Sequence, residues 1–143
     1  MLVGISNLIT PEVYEVIYQM GHLDELVIAD ANYSASAVSS RVVHSFASGN
    51  NVLLEEVLRY FPLDDFGANP IIVMTPDNGY VHDPEIWAQY NYVCSKLFPS
   101  RKLELSQISR QAFYERTRCA YATIQTLDRR VYANVIIRKG FVT

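Results

Sequence analysis

The chain has 143 residues, half of them hydrophobic, with a net charge of −3 at neutral pH, which suits one domain (residues 1–143) with a proper core. No apolar run reaches the roughly 18 residues of a membrane span, and the N-terminus has neither a basic start nor an apolar signal core, so a cytoplasmic protein is expected. Cys94 and Cys119 form no Cys-x-x-Cys pair and read as two buried, reduced thiols.

Thr10 followed by Pro11 reads as an N-cap with proline at the first helical position. Val13, Ile17 and Met20 recur at helical spacing, and Gly21 sits where a helix end favours a left-handed residue. Leu26 to Ala29 is an unbroken apolar run, as expected of a strand covered on both faces, and Asp30 ends it. Ligands of open α/β sheets bind beyond the carboxyl ends of strands, where Asp30 would stand. His22 precedes the strand. At about 3.3 Å per residue, His22 and Asp30 of one chain fall at opposite ends, beyond hydrogen-bond reach. One site uses both only if a loop folds back or a second subunit contributes one of them.

Further along, Arg41-Val42-Val43 is a candidate short strand. Asn51 caps a helix through Leu53, Leu54, Val57, Leu58 and Phe61, closed by Pro62. Residues 63–69 form a polar connection, with Asp64-Asp65 as a solvated acidic turn. Ile71 to Met74 is a second buried strand. Asp83-Pro84 starts a helix that Pro99 stops. Lys102 to Ser106 alternates as a short strand, and Ser109 caps a helix over Arg110 to Ala120. Residues 121–126 and 131–138 are β-like, split by an exposed turn at Leu127-Asp128-Arg129-Arg130. Alternating helix and strand predict an α/β fold: a single domain with a mixed central sheet flanked by helices.

The charge is uneven. Residues 1–99 carry three basic and twelve acidic side chains, a net of −9; residues 100–143 carry nine basic and three acidic, a net of +6. A basic end can serve nucleic acid, but these basic residues are interleaved with apolar strand patterns. The favoured reading is an acidic half facing a basic half, within the fold or between subunits.

Of the three histidines, His44 and His82 lack partners at metal-ligand spacing and read as surface or structural. His22, beside a glycine at an element junction, has a reachable ring and is the catalytic candidate. No His/Cys cluster suggests zinc, no Gly-rich loop suggests a nucleotide, and no Gly-x-Ser-x-Gly supports a serine hydrolase.

Met20-Gly21-His22 with Asp24-Glu25, Asp30-Ala31-Asn32, Ala112-Phe113-Tyr114-Glu115-Arg116, Tyr132-Ala133-Asn134 and Lys139-Gly140 occur in an order and spacing that resembles the fucose mutarotase and ribose pyranase family, nearly end to end. The Phe-Tyr-Glu-Arg segment points to the fucose mutarotase branch. Ser34 stands where that family commonly has proline, and residues 34–50 match poorly, which bears on the exact sugar more than on the reaction.

The resemblance implies an isomerase that interconverts the α and β anomers of L-fucose or a similar free sugar such as ribose. It implies His22 as the acid/base residue, and Asp30 and Arg110 as sugar ligands. Tyr132, Ala133 and Asn134 match the substrate segment, with Tyr132 a second proton-transfer group. It also implies a ring-shaped homo-oligomer, often a decamer, with sites at subunit interfaces.

These residue types suit the chemistry. Ring opening takes a proton from the anomeric hydroxyl and delivers one to the ring oxygen, and an imidazole can do either near neutral pH. A carboxylate accepts from sugar hydroxyls, a guanidinium donates to them, and Tyr and Asn side chains do both. No redox change or group transfer occurs, so neither cofactor nor metal is expected. The competing readings are a sugar-binding or sensing module without turnover and, more weakly, nucleic-acid binding through the basic last third.

Overall fold

The computed structural model describes all residues, Met1–Thr143. Helix α1 spans Pro11–Gln19, and Thr10 Oγ1 accepts from the Val13 N–H (3.3 Å), as its N-cap position predicts. Its C-terminus departs from expectation. Met20 closes the helix in an extended conformation and Gly21 is not left-handed; Leu23, at φ 73°, makes the left-handed turn instead. Two features replace the missing glycine cap. The Lys139 ammonium donates to the carbonyls of Ile17 (2.6 Å) and Met20 (2.7 Å), and Asp24 accepts from the Gly21 N–H (2.7 Å).

Strand β1 (Glu25–Ala29) follows, then a short helix α2 (Ala35–Val38) that the sequence pattern did not indicate. Strand β2 is Val42–His44. Helix α3 runs Asn50–Leu58, capped from Gly49 rather than Asn51, because the Asn50 N–H is claimed by the carboxylate of Asp128 (2.8 Å). Strand β3 is Ile71–Met74, and helix α4 is Pro84–Leu97 with Asp83 accepting from the Glu85 N–H. Strand β4 is Ser106–Ile108, shifted beyond the predicted Lys102–Ser106. Helix α5 is Arg110–Cys119, and Ser109 Oγ accepts from the Ala112 N–H (3.1 Å). Strand β5 is Ala122–Gln125, and β6 is Val135–Arg138, four residues shorter at its start than predicted.

The six strands form one mixed sheet in the order β2-β5-β1-β6-β3-β4. Strands β5 and β6, consecutive in sequence, are separated by β1. All neighbours are parallel except β6, which runs antiparallel to both β1 and β3. Alternation divides the core. Leu26 and Ile28 of β1 pack with Val135 and Ile137 against α1, α3 and α4; Val27 and Ala29 pack with Ile72, Met74 and Ile136 against Phe113 of α5 and Ala35 of α2. The result is a three-layer α/β/α arrangement.

Three expectations about surface need correction. Cys94 is buried but Cys119 is exposed, and both are free thiols. Asp64 is not a solvated turn residue but has no exposed side-chain surface, and Arg130 is not a free turn residue but pairs with the buried Asp128 (2.8 Å). Part of the basic last third pairs with the acidic half: Arg116 with Glu25 and Arg138 with Asp64, while Arg110 approaches Asp77. The two halves of opposite charge therefore meet within the fold.

Candidate functional site

The antiparallel β6 decides where the site forms. Strands β1, β3 and β4 end at one edge of the sheet, and β6 begins there, so the segment before β6 joins the residues that follow the other three. A cleft of about 290 Å³ lies at this edge. Asp30 enters from the end of β1, Arg110 from the start of α5, and Tyr132 and Asn134 from the approach to β6; Tyr33, Tyr80 and Tyr114 complete its aromatic walls.

Asp30 is buried. Its backbone N–H donates to Asn134 Oδ1 (2.9 Å), and its carboxylate accepts from the Asn32 N–H (2.8 Å). Burial raises its pKa above the ordinary carboxylate value; the Asn32 N–H and the Asn134 amide offset only part of that rise. Arg110 is half exposed, with its guanidinium 5.2 Å from the Tyr114 ring centre. Tyr33 stacks on Tyr114 (4.7 Å) and bonds Thr117 Oγ1 through its hydroxyl (2.7 Å). Burial pushes its phenol up to about 12, so it is a protonated wall of the cleft.

Tyr132 differs. It is a bulky residue at φ 63°, in the left-handed region that such side chains rarely occupy, and its hydroxyl donates toward Asp77 (3.4 Å). Strain of this kind persists where neighbours over-determine the backbone. Here the adjacent Ala133 carbonyl accepts from the Asn50 amide (2.7 Å) and from the buried Tyr90 hydroxyl. Ala133 itself is fully buried and does not line the cleft; its backbone anchors the two residues that do.

His22 lies elsewhere. It sits at the opposite edge of the sheet, before β1, about 16 Å away along that five-residue strand. Its Nε2 is 3.3 Å from Asp64 Oδ1, and its ring meets Phe141 (5.1 Å) and Phe66 (6.0 Å) edge to face. Asp64 also accepts from Arg138 Nε (2.9 Å) and the Phe66 N–H (3.1 Å). Burial pushes its carboxyl up, but these hydrogen bonds outweigh it and hold the pKa below the usual value. The imidazole is therefore oriented by a fixed carboxylate and 38% exposed. Gly140 makes the arrangement possible: a Cβ there would stand 3.0 Å from the Leu63 carbonyl and 3.1 Å from the Asp64 Cα.

One chain thus gathers Asp30, Arg110, Tyr132 and Asn134 but not His22, as the strand geometry predicted. Asp64 was missed. The signal that could have found it was Arg138 at the end of an otherwise apolar strand, which needs an acidic partner. His44 is exposed, and His82 packs on Trp87 (4.3 Å), in keeping with surface and structural roles.

Residues 3–142 match the model of the RbsD / FucU transport protein family. The chain belongs to that family. Among proteins similar to this RbsD / FucU member is the L-fucose mutarotase of Actinobacillus pleuropneumoniae serotype 5b (strain L20). It is 35% identical over 140 residues, covering 98% of this chain and 96% of that protein. A crystal structure of the fucose mutarotase in complex with L-fucose from Streptococcus pneumoniae superposes with a TM-score of 0.92 at 31% identity, covering 99% of this chain and all of the other. The structure of FucU from Bifidobacterium longum gives 0.91 at 33% identity, covering 98% and 99%.

Proposed function

We propose that this chain is a sugar mutarotase that interconverts the α and β anomers of L-fucose or a similar free monosaccharide. The observation that carries the proposal is the convergence of Asp30, Arg110, Tyr132 and Asn134 on one cleft, in a chain 35% identical to an L-fucose mutarotase. Asp30 and Asn134 accept from and donate to hydroxyls, Arg110 donates to them and stabilises charge developing on oxygen, and Tyr132 exchanges a proton with the sugar. His22, oriented by Asp64, is the second acid/base group.

The working unit is a ring-shaped homo-oligomer, a decamer, in which one copy supplies the cleft and its neighbour supplies His22. The separation of the two half-sites supports this. So do the large apolar side chains left exposed beside them: Leu23, Phe66 and Phe141 near His22, and Val81 near the cleft. The two free thiols suit a reducing compartment, and we assign the cytoplasm.

Two-dimensional exchange NMR on L-fucose tests the reaction. His22→Ala should slow anomer exchange by about 10²- to 10⁴-fold, and an unchanged rate removes His22 from the mechanism. Line broadening by the wild type without added α/β cross-peak intensity would favour a binding module instead. Co-expressing His22→Ala with Asp30→Ala tests the sharing. Mixed rings contain some intact sites and should recover part of the activity; no recovery refutes the shared site.

A further inference from the structure

We propose that the loop joining β3 to α4, residues 75–83, is a specificity wall of the cleft: Tyr80 is an aromatic platform for the C–H face of the sugar, and Asp77 accepts from one of its hydroxyls. The inference rests on the carbohydrate reading above and deepens it. Neither residue belongs to the segments through which the chain resembles its family.

Tyr80 lines the cleft, and its ring centre lies 4.8 Å from that of Tyr132, tilted by 54°. Nearly half of Tyr80 is exposed (48%). The other aromatic rings are committed elsewhere. Tyr33 and Tyr114 stack on each other, and Arg110 lies over Tyr114. Tyr80, packed against Tyr132 and still about half exposed, therefore offers ring surface to a cleft that Asp30, Asn32, Arg110 and Asn134 also line. A pyranose has a matching division, with hydroxyls around its rim and C–H bonds on its faces, and the electron-rich face of an aromatic ring attracts those C–H bonds.

Asp77 stands just outside the lining, against two residues that belong to it. Its Oδ2 accepts from the Tyr132 hydroxyl at 3.4 Å and lies 3.9 Å from Arg110 Nε, with both charged side chains more than half exposed. Contacts this long and this wet are weak, so a sugar hydroxyl can take the carboxylate at little cost. Asp77 then offers an acceptor beside Arg110 and Tyr132, both of which line the cleft with Asp30.

The test uses the full chain with substitutions Tyr80→Ala, Tyr80→Phe and Asp77→Ala, all at exposed positions. Anomer exchange is followed against concentration for L-fucose and D-ribose, with ligand titration alongside. Tyr80→Ala should raise KM for L-fucose by about two- to tenfold with kcat nearly unchanged, and Tyr80→Phe should recover most of that loss. D-ribose, with no sixth carbon, covers less of the ring and should lose less. Asp77→Ala should raise KM by about two- to tenfold, one hydrogen bond's worth. Unchanged KM in Tyr80→Ala and Asp77→Ala, or a fall in kcat alone, overturns the wall. If the wild type itself neither binds nor interconverts sugars, the carbohydrate reading fails first, and the wild-type measurement alone reveals it.

Discussion

Replacing Asp64 by Asn tests how the His22 end of the sheet is held. Asn fits the same space and keeps one acceptor but removes the charge that Arg138 and His22 share. Hydrogen bonds to a charged group contribute about 1.5–3 kcal/mol. The His22 contact is long and its ring is 38% exposed, so it counts for little. The Arg138 contact is buried and counts nearly in full, although Arg138 keeps its bond to the Ala68 carbonyl. The expected loss is about 2–3 kcal/mol, which for a chain of this length lowers Tm by about 6–12 °C. The loss should depend on pH. The folded carboxyl has a depressed pKa, so its stabilisation is present above the unfolded value near 4 and is lost as pH falls through the folded value. Thermal melts of both proteins should therefore differ fully above about pH 4 and converge below it. A gap that stays constant or widens between pH 7 and pH 3 refutes the ion-pair argument. Where circular dichroism at 25 °C shows the variant folded, slower anomer exchange there reports the orientation of His22 rather than unfolding.

Two further outcomes follow from the same geometry. Asp30 has a raised pKa, so its protonation begins at higher pH than that of an ordinary carboxyl. L-fucose affinity, measured by titration, should weaken as pH falls toward 4 and already be reduced above it; in Asp30→Asn that dependence should flatten, and a wild-type affinity constant over this range counts against Asp30 as a ligand. Gly140→Ala forces a methyl against the Leu63 carbonyl and the Asp64 backbone, and overpacking of this kind costs about 1–3 kcal/mol. Denaturant melts should show that loss together with slower anomer exchange, whereas a stable and fully active variant would mean that the segments separate freely.

Much of this protein is written locally. Thr10-Pro11, Asp83-Pro84 and Ser109 each carry their capping chemistry within three residues, so α1, α4 and α5 begin where the sequence places them. Leu26 to Ala29 and Ile71 to Met74 are apolar on both faces, and only a doubly covered strand accommodates that. The strand between His22 and Asp30 likewise fixes their separation, because an extended chain has a set rise per residue. Tertiary structure decided the rest. The end of α1 is capped by Lys139, distant in sequence, so Gly21 had no need of a left-handed conformation. Asn50 rather than Asn51 starts α3 because Asp128 reaches across the fold to its N–H. Asp64 reads as a surface turn until Arg138 is placed beside it, since a buried charge is tolerable only with a partner that local sequence does not contain. The cleft itself exists because β6 enters the sheet antiparallel, a choice made by pairing between strands and not by any residue within them.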